Sequence, residues 1–395
     1  MPEMDGRVEL RSRDERRRIM GSVWEPIVHF EEVLVDGEPV SHAALIQLDM
    51  RVGSSTVKMG GIAGVETKPE YRMRGFARKC MMRTIRYMHD HGYDVSMLFG
   101  IPNFYIKFGY APCLPEHTLT VRVRDAEEAE RLDEYDIREF TENDIDPVLK
   151  IFNENNRERT CTIVRKRNKW IGFRRGKRPG YPPPALVWEK GDEVVAYVSF
   201  HRFMDPDRDY TRYDCEFLVT EIGVKERRVF STILKDLAAK AMERRFEHIR
   251  FSLPLDHPFT EYCHRFGSES VVRYHKDSGG MMRIINQRTL FHKIEDELQR
   301  RVRERKVENV HVEVKTELAS TEFRVKDREL SVGEGNGRGM NRIELPQSIL
   351  TQLVVGYRSV QDVVNDRRVK VRGNIRLLEA LFPKSFPYMW VLDRF

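Results

Sequence analysis

The sequence predicts a mixed α+β fold built as three successive units. Strand-like and helix-like segments alternate through the first two thirds of the 395 residues. A charged stretch, Asp125–Glu134, separates two such runs. The last third then changes character, to a basic helix, antiparallel strands and short helices. One hydrophobic core is not expected to serve a chain of this length. The units are placed at residues 1–128, 129–287 and 288–395.

In the first unit Val8–Arg11 reads as a short strand. Glu31–Val35 and Val40–Asp49 read as two strands joined by an Asp36-Gly37 turn. Val57–Val65 is a further extended apolar segment. From Phe76 to His91 the apolar positions 76, 77, 81, 85 and 88 follow the 3.6-residue period of a helix, and Gly92 closes it. Val95–Gly100 reads as a buried strand, and Thr118–Arg124 alternates like another.

The second unit opens with a strand at Ile137 and a helix over Ile145–Asn155. Tyr181–Pro184 reads as a rigid loop. Strands follow at Ala185–Trp188, Val194–Phe200 and Phe217–Val224, then a helix over Arg228–Phe246 and a strand at Ile249–Leu253. In the third, a helix over Leu290–Arg303 precedes strands at Val310–Thr316, Ser320–Val325 and Glu329–Val332. A glycine-rich turn, Gly333–Gly339, leads to Asn341–Leu345, and Pro346 starts a helix.

Composition narrows the classes. Apolar residues make up 40% and charged residues 33%, as in a soluble globular chain. No run approaches the ~18 apolar residues of a membrane-spanning helix. The N-terminal stretch lacks the apolar core of a signal peptide, so export is not expected. Five cysteines, none spaced CxxC, fit reduced thiols in a cytoplasm. The twelve histidines form no HExxH pattern, and no metal is expected. The net charge of +6 is modest. The basic runs Arg165–Arg167, Arg174–Arg178 and Arg300–Arg303 read as solvated faces or mobile loops, not a nucleic-acid site.

The informative string is Val65-Glu66-Thr67-Lys68-Pro69-Glu70-Tyr71-Arg72-Met73-Arg74-Gly75-Phe76-Ala77-Arg78. A strand ends, a loop turns, and a helix begins at Gly75. The free N–H groups of a first helical turn, with the positive end of the helix dipole, hold an anion such as pyrophosphate. Gly75 lets a phosphate approach the backbone, since no Cβ blocks it. Arg72, Arg74 and Arg78 add positive charge. Alone, the string also fits a tight strand-to-helix turn with a solvated basic rim.

One strand later comes Gly100-Ile101-Pro102-Asn103-Phe104-Tyr105-Ile106-Lys107-Phe108-Gly109-Tyr110. Together the two strings resemble the GNAT acetyltransferase pattern, RxxGxA followed some thirty residues on by FYxxFGY. The resemblance implies acetyl-CoA as cosubstrate. Val65, Glu66 and Thr67 would then bind the pantetheine arm through their backbone. Met73, Arg74, Gly75, Phe76, Ala77 and Arg78 would cradle the pyrophosphate, with Gly100 and Ile101 completing the cofactor site. Tyr105 would be the general acid that reprotonates the thiolate; a phenol of pKa ~10 carries its proton at neutral pH. On its residues alone Tyr105 also fits a core aromatic beside Phe104 and Phe108. Tyr110 reads as structural.

The whole layout resembles the enhanced intracellular survival (Eis) family: two GNAT units and a sterol-carrier-protein-like α+β domain. The second unit fits as a degenerate copy. Glu221–Phe230 stands where the cofactor turn would be, without a glycine at the helix start, and Tyr262–Gly267 echoes the tyrosine motif with one residue too many. Such proteins end in phenylalanine, whose terminal carboxylate is proposed as general base. Here the chain ends Met389-Trp390-Val391-Leu392-Asp393-Arg394-Phe395, so the resemblance assigns that role to Phe395; the bland alternative is a packed terminus. It further implies an amine-bearing acceptor, a small molecule or a protein lysine, and a homo-oligomer, a hexamer. The sequence departs from the family before Glu31, where about twenty residues ending in Val23–Pro26 replace two helices that wall the acceptor site. Glu32, Glu66 and Asp393 are acids that could attract a cationic amine, or plain surface. The competing reading is a CoA- or lipid-binding scaffold without catalysis.

Overall fold

The computed structural model describes residues 7–16, 27–168, 170, 173, 185–200, 217–336 and 338–395. The Tyr181–Pro184 loop, the Arg174–Arg178 run and Val23–Pro26 lie outside them. The chain first forms β1 (Val8–Arg16), β2 (Ile27–Val35), β3 (Glu38–Val52) and β4 (Ser55–Thr67). Helix α1 (Phe76–Asp90), β5 (Val95–Gly100) and β6 (Ala111–Leu114) follow. Next come β7 (Glu116–Arg122), α2 (Val123–Ala126), β8 (Asp136–Glu139) and α3 (Ile145–Asn155). Then come β9 (Ala185–Lys190), β10 (Glu193–Phe200), β11 (Phe217–Val224), α4 (Phe230–Glu243) and β12 (His248–Phe251). Helix α5 (Pro258–Cys263), β13 (Ser268–Arg273) and β14 (Gly279–Ile284) lead into α6 (Gln287–Lys293) and α7 (Glu295–Glu304). The last part holds β15 (Val310–Lys315), β16 (Ser320–Lys326), β17 (Glu329–Glu334), β18 (Arg342–Glu344) and α8 (Gln347–Val354). It closes with α9 (Val360–Val364), β19 (Lys370–Arg372) and α10 (Leu377–Leu381).

Among the described residues the strands form three sheets, and the fold is mixed α+β as the alternation of segments implies. The first runs β1-β2-β3-β4-β5-β14-β6, the second β13-β7-β12-β11-β10-β9-β8, and the third β17-β16-β15-β18-β19. The first two exchange strands. β7 leaves the first run to pair with β12 and β13, and β14 returns to lie between β5 and β6.

The Asp36-Gly37 turn forms as expected, with φ of +52° and +81°, and joins β2 to β3. One face of the first sheet is covered by α1, whose Phe76, Cys80, Met81 and Met88 meet Val33, Leu45 and Ile62. Against the other face packs the third unit. Leu48, Met50, Val57 and Met59 share one continuous core with Phe291, Leu298, Val312, Phe323 and Leu350.

Two expectations are corrected, and one strand is added. The helix over Leu290–Arg303 is two helices, jointed at buried Ile294 (φ −99°, ψ 9°), which turns Leu290 and Phe291 as well as Leu298 and Val302 into the core. Asp125–Glu134 is not a free linker: Ala126 and Ala129 are buried, while Arg131 hydrogen-bonds Asp236 at 3.1 Å. β14 was not anticipated. It is a central strand with Met281 in the core under α1 and Met282 in the core under the third unit, so no polar face produced an alternation.

A buried carboxylate ties the third unit to the β3–β4 turn. Glu297 accepts hydrogen bonds from the Ser54 backbone at 3.2 Å and hydroxyl at 2.7 Å, and from Arg300 and Arg301 at 2.8 and 2.7 Å. Burial alone would raise its pKa; the Arg300 hydrogen bond, the Arg301 charge and Ser54 outweigh that and hold it at about 2. The folded value lies below the unfolded 4.5, so this contribution is present above pH 4.5 and is lost as pH falls toward 2. The shift corresponds to on the order of 3 kcal/mol. Glu297→Gln should therefore lower Tm at pH 7, the gap to the parent closing as thermal melts are repeated toward pH 2; a gap constant with pH would contradict the assignment.

Candidate active site

β4 and β5 pair in parallel only from Met59–Gly61 to Val95–Met97. Beyond that they part. β4 runs on to Thr67, bent by a bulge near Gly64 where its register with β3 shifts, while β5 continues to Gly100, held along its other edge by β14 from Val95 to Gly100. The result is a fork between two strands of one sheet, with one edge of β4 unpaired by β5.

The cofactor residues predicted from sequence line the β4 arm and the loop beyond it. Val65 and Thr67 are half-buried and Glu66 is exposed; the Thr67 and Ser41 hydroxyls are 2.8 Å apart. Met73 is fully exposed with φ +63°, a left-handed conformation rare for such a side chain. Arg74 is exposed and stacks over Tyr71 at 5.3 Å, and Arg72 Nε donates to the Thr67 carbonyl at 3.3 Å. Gly75 takes φ +78° as N-cap of α1, with nothing within 4 Å of where a Cβ would stand. The first intrahelical bond runs from Lys79 N–H to the Gly75 carbonyl at 3.0 Å. The helix start has no side-chain cap and no acid in its first turn, so its dipole and N–H groups face outward. Phe76 is buried as the anchor, Ala77 is half-buried, and Arg78 is exposed. This open, basic, uncapped turn fits the pyrophosphate of a CoA thioester.

On the β5 arm, Gly100 is half-buried and Ile101 is exposed. The half-buried Tyr105 packs its ring against Gly100 and edge-on to Phe104 at 4.9 Å. Burial raises its pKa above that of a free phenol, so it holds its proton at neutral pH. Tyr110 is buried and hydrogen-bonded to Ser96 at 2.7 Å, a structural role as expected.

Phe395 reaches the same fork. Its phenyl carbons lie 2.6–2.9 Å from where a Cβ on Gly61 would stand, so any larger residue there would collide with the ring. It meets Phe99 edge-on at 6.1 Å. Gly61 is the last β4 residue paired with β5. Successive residues of β5 point to opposite faces. Phe99 carries Phe395 on the third-unit side, and Gly100 carries Tyr105 on the α1 side. The two candidate catalytic residues therefore flank the fork from opposite faces of the sheet.

Two acids named from sequence are otherwise engaged. Glu32 is buried and bound by Arg11 and Arg13 at 2.7 and 2.9 Å. Asp393 is buried against Arg165, which the sequence placed on a solvated run. Arg165 has no exposed side-chain surface; it meets both Glu221 oxygens at 2.7 Å and both Asp393 oxygens at 2.9 and 3.0 Å. Burial pushes Asp393 up to about 6, Arg165 pulling it back and Glu221 pushing it further. Composition carried no signal for this cluster, because its members lie 56 and 228 residues apart.

The corresponding place in the second sheet is closed. Helix α4 starts from buried Val229 in right-handed geometry, and the Phe230 ring is covered by Phe259 and Tyr262 at 5.2 and 5.7 Å. Among the described residues no group of three or more His, Cys, Asp or Glu is arranged to hold a metal, and no helix is long and apolar enough to cross a membrane.

Residues 10–113 match the family model described as an acetyltransferase (GNAT) domain. Residues 10–113 therefore carry a GNAT acetyltransferase domain. A search of curated proteins by sequence finds no match. Among solved structures the chain is similar to a probable N-acyltransferase from Enterococcus faecalis V583, at 13% identity over 93% of this chain and 89% of that one, with TM-score 0.71. It is similar to a GCN5-related N-acetyltransferase from Anabaena variabilis ATCC 29413, at 15% identity, the same coverages and TM-score 0.70. It is also similar to Eis1 from Mycobacterium abscessus, at 15% identity over 93% and 90%, with TM-score 0.64. At these identities the likeness is one of fold.

Gly75→Ala should weaken acetyl-CoA binding at least about tenfold by calorimetry, because it places a Cβ before the helix start and strains a left-handed residue by about 1–2 kcal/mol. Gly92→Ala imposes similar strain at the opposite end of α1, where φ is +67°. It should leave the affinity unchanged; equal losses in the two variants would mean that strain alone is responsible.

Proposed function

We propose that the chain transfers an acetyl group from acetyl-CoA to a primary amine by direct attack. The Phe395 α-carboxylate is the general base and Tyr105 the general acid. The observation that carries this reading is the seat of Phe395 over Gly61, at the fork and across the sheet from Tyr105. The amine nitrogen attacks the thioester carbonyl and gives its proton to the carboxylate, directly or through water. As the C–S bond breaks, Tyr105 donates its proton to the sulfur and recovers one from solvent. Val65, Glu66 and Thr67 bind the pantetheine arm along the free edge of β4. Met73–Arg78 hold the pyrophosphate, and Gly100 and Ile101 close the other side.

We read the architecture as Eis-like: a catalytic GNAT unit at 1–128, a degenerate second unit at 129–287 and a sterol-carrier-like unit at 288–395, assembled as a homo-oligomer, a hexamer, in the cytoplasm. The closed helix start at Val229 supports the degenerate second unit. The carrier reading is disfavoured by the third unit's interior, where the rings of Phe291, Phe323 and Phe382 interlock at 4.9–6.0 Å. The acceptor is an amine on a small molecule or a protein lysine.

Screening polyamines, aminoglycosides and lysine-bearing peptides for thiol release from acetyl-CoA should find a turned-over amine. With it, Tyr105→Phe should cut kcat about 100-fold or more while acetyl-CoA affinity stays within about twofold. Two glycines appended after Phe395 should also suppress turnover, and an extended chain with full activity would remove the carboxylate from the mechanism.

A further inference from the structure

The last three residues of the chain are each held by a different part of the fold. Asp393 belongs to the ion cluster of the second unit; its side chain is 1% exposed, and those of Arg165 and Glu221 are 0%. The Arg394 guanidinium lies 5.0 Å from the Phe99 ring centroid, and its Nε donates to the Met389 carbonyl at 3.4 Å. Phe395 lies over Gly61. Two residues of chain span at most about 7 Å between Cα atoms, so whatever fixes Asp393 limits where the terminal carboxylate can be.

The cluster is over-built for packing alone. Arg165 is forked onto two carboxylates, Tyr197 donates to Glu221 at 2.7 Å, and the Phe152 ring covers the guanidinium at 3.6 Å. One cation faces two acids, leaving a surplus of buried negative charge if both are ionised. Replacing a whole buried ion group with well-packed apolar residues of similar volume is often neutral or stabilising, so stability alone gives little reason for such a group. The tail has other anchors upstream: Trp390 donates to Asn156 at 2.9 Å, and the Tyr388 hydroxyl donates to the Ser252 carbonyl at 2.8 Å. Those suffice to dock the segment. The forked bonds to Asp393 add something different, a fixed direction for the last two residues.

We propose that Arg165, Glu221 and Asp393 form a positioning clamp through which the second unit aims the Phe395 carboxylate into the β4–β5 fork. The inference rests on the reading of that carboxylate as the general base. It gives the second unit a part in the reaction without a cofactor site of its own: its sheet supplies the fixed end of the lever that the catalytic residue terminates.

The test uses the full chain with Asp393→Asn, which preserves shape and leaves Arg165 paired with Glu221, and Arg165→Lys, which keeps the charge and loses the fork. Each is compared with the parent in four measurements: Tm, acetyl-CoA affinity, release of Phe395 by carboxypeptidase A, and kcat with the panel amine that gives the fastest thiol release. A clamp predicts for Asp393→Asn unchanged acetyl-CoA affinity, at least tenfold faster Phe395 release and at least tenfold lower kcat in a chain that still melts cooperatively, with a Tm lowered by the one guanidinium contact an amide cannot accept. Arg165→Lys should fall between Asp393→Asn and the parent. In the chain carrying two appended glycines, Asp393→Asn should lower the residual kcat no further, because the group it positions is already displaced. If the extended parent is inactive yet Asp393→Asn keeps parental kcat and Phe395 release, the clamp is wrong and the base assignment stands. If the extended parent is fully active, the base assignment is wrong and the clamp falls with it. Losses of kcat that add in the extended chain would make the cluster structural and overturn the proposal.

Discussion

The organisation of the site depends on one interrupted pairing. β4 and β5 exchange hydrogen bonds over three residue pairs and then separate, where a bulge near Gly64 bends β4 while β5 keeps its pairing with β14 on its opposite edge. A strand edge left unpaired inside a sheet is normally a liability. In the proposed reading it is the feature that would admit a ligand: the free edge of β4 leads directly to the uncapped start of α1, a continuous line of backbone for a thioester arm and its phosphates. The same separation begins at Gly61, where the absent side chain leaves room for the C-terminal ring.

The first unit was the most legible in sequence. The Arg72–Ala77 string and the Phe104–Tyr110 string are local, each within a few residues, and their geometry follows from turn and cap chemistry that short spacing can express. Gly92 took the left-handed conformation its position as a helix cap implied. Less legible were features whose partners are distant in sequence. β14 carries apolar residues on both faces, so periodicity could not reveal it, and nothing near Gly279 indicates that it inserts between β5 and β6. Arg165 sits in a basic run that looks solvated, yet it is fully enclosed because its carboxylates come from β11 and the tail. Asp393 likewise resembled a surface acid. Charge in a sequence does not disclose whether its counter-charge is water or a residue two hundred positions away.

The two faces of the first sheet divide the labour. The α1 side carries Tyr105 and the proposed anion site, both encoded by contiguous segments. The opposite side is built from the third unit and the chain terminus, which share a single core with the strands beneath them. Glu297 holds the β3–β4 turn to α7 from that side, so the third unit is bound to the first by charge as well as by apolar contact.

The exchanged strand β14 has a consequence for how the molecule comes into being. The first sheet lacks its sixth strand until residues 279–284 are available, and until then one edge of β5 and the whole of β6 have no partner in it. During synthesis the entire second unit must emerge before the catalytic sheet can close. Pairings of such long sequence separation form slowly and leave apolar edges exposed in the interval. The chain is therefore obliged to assemble as a whole, its reactive half among the last parts to become complete.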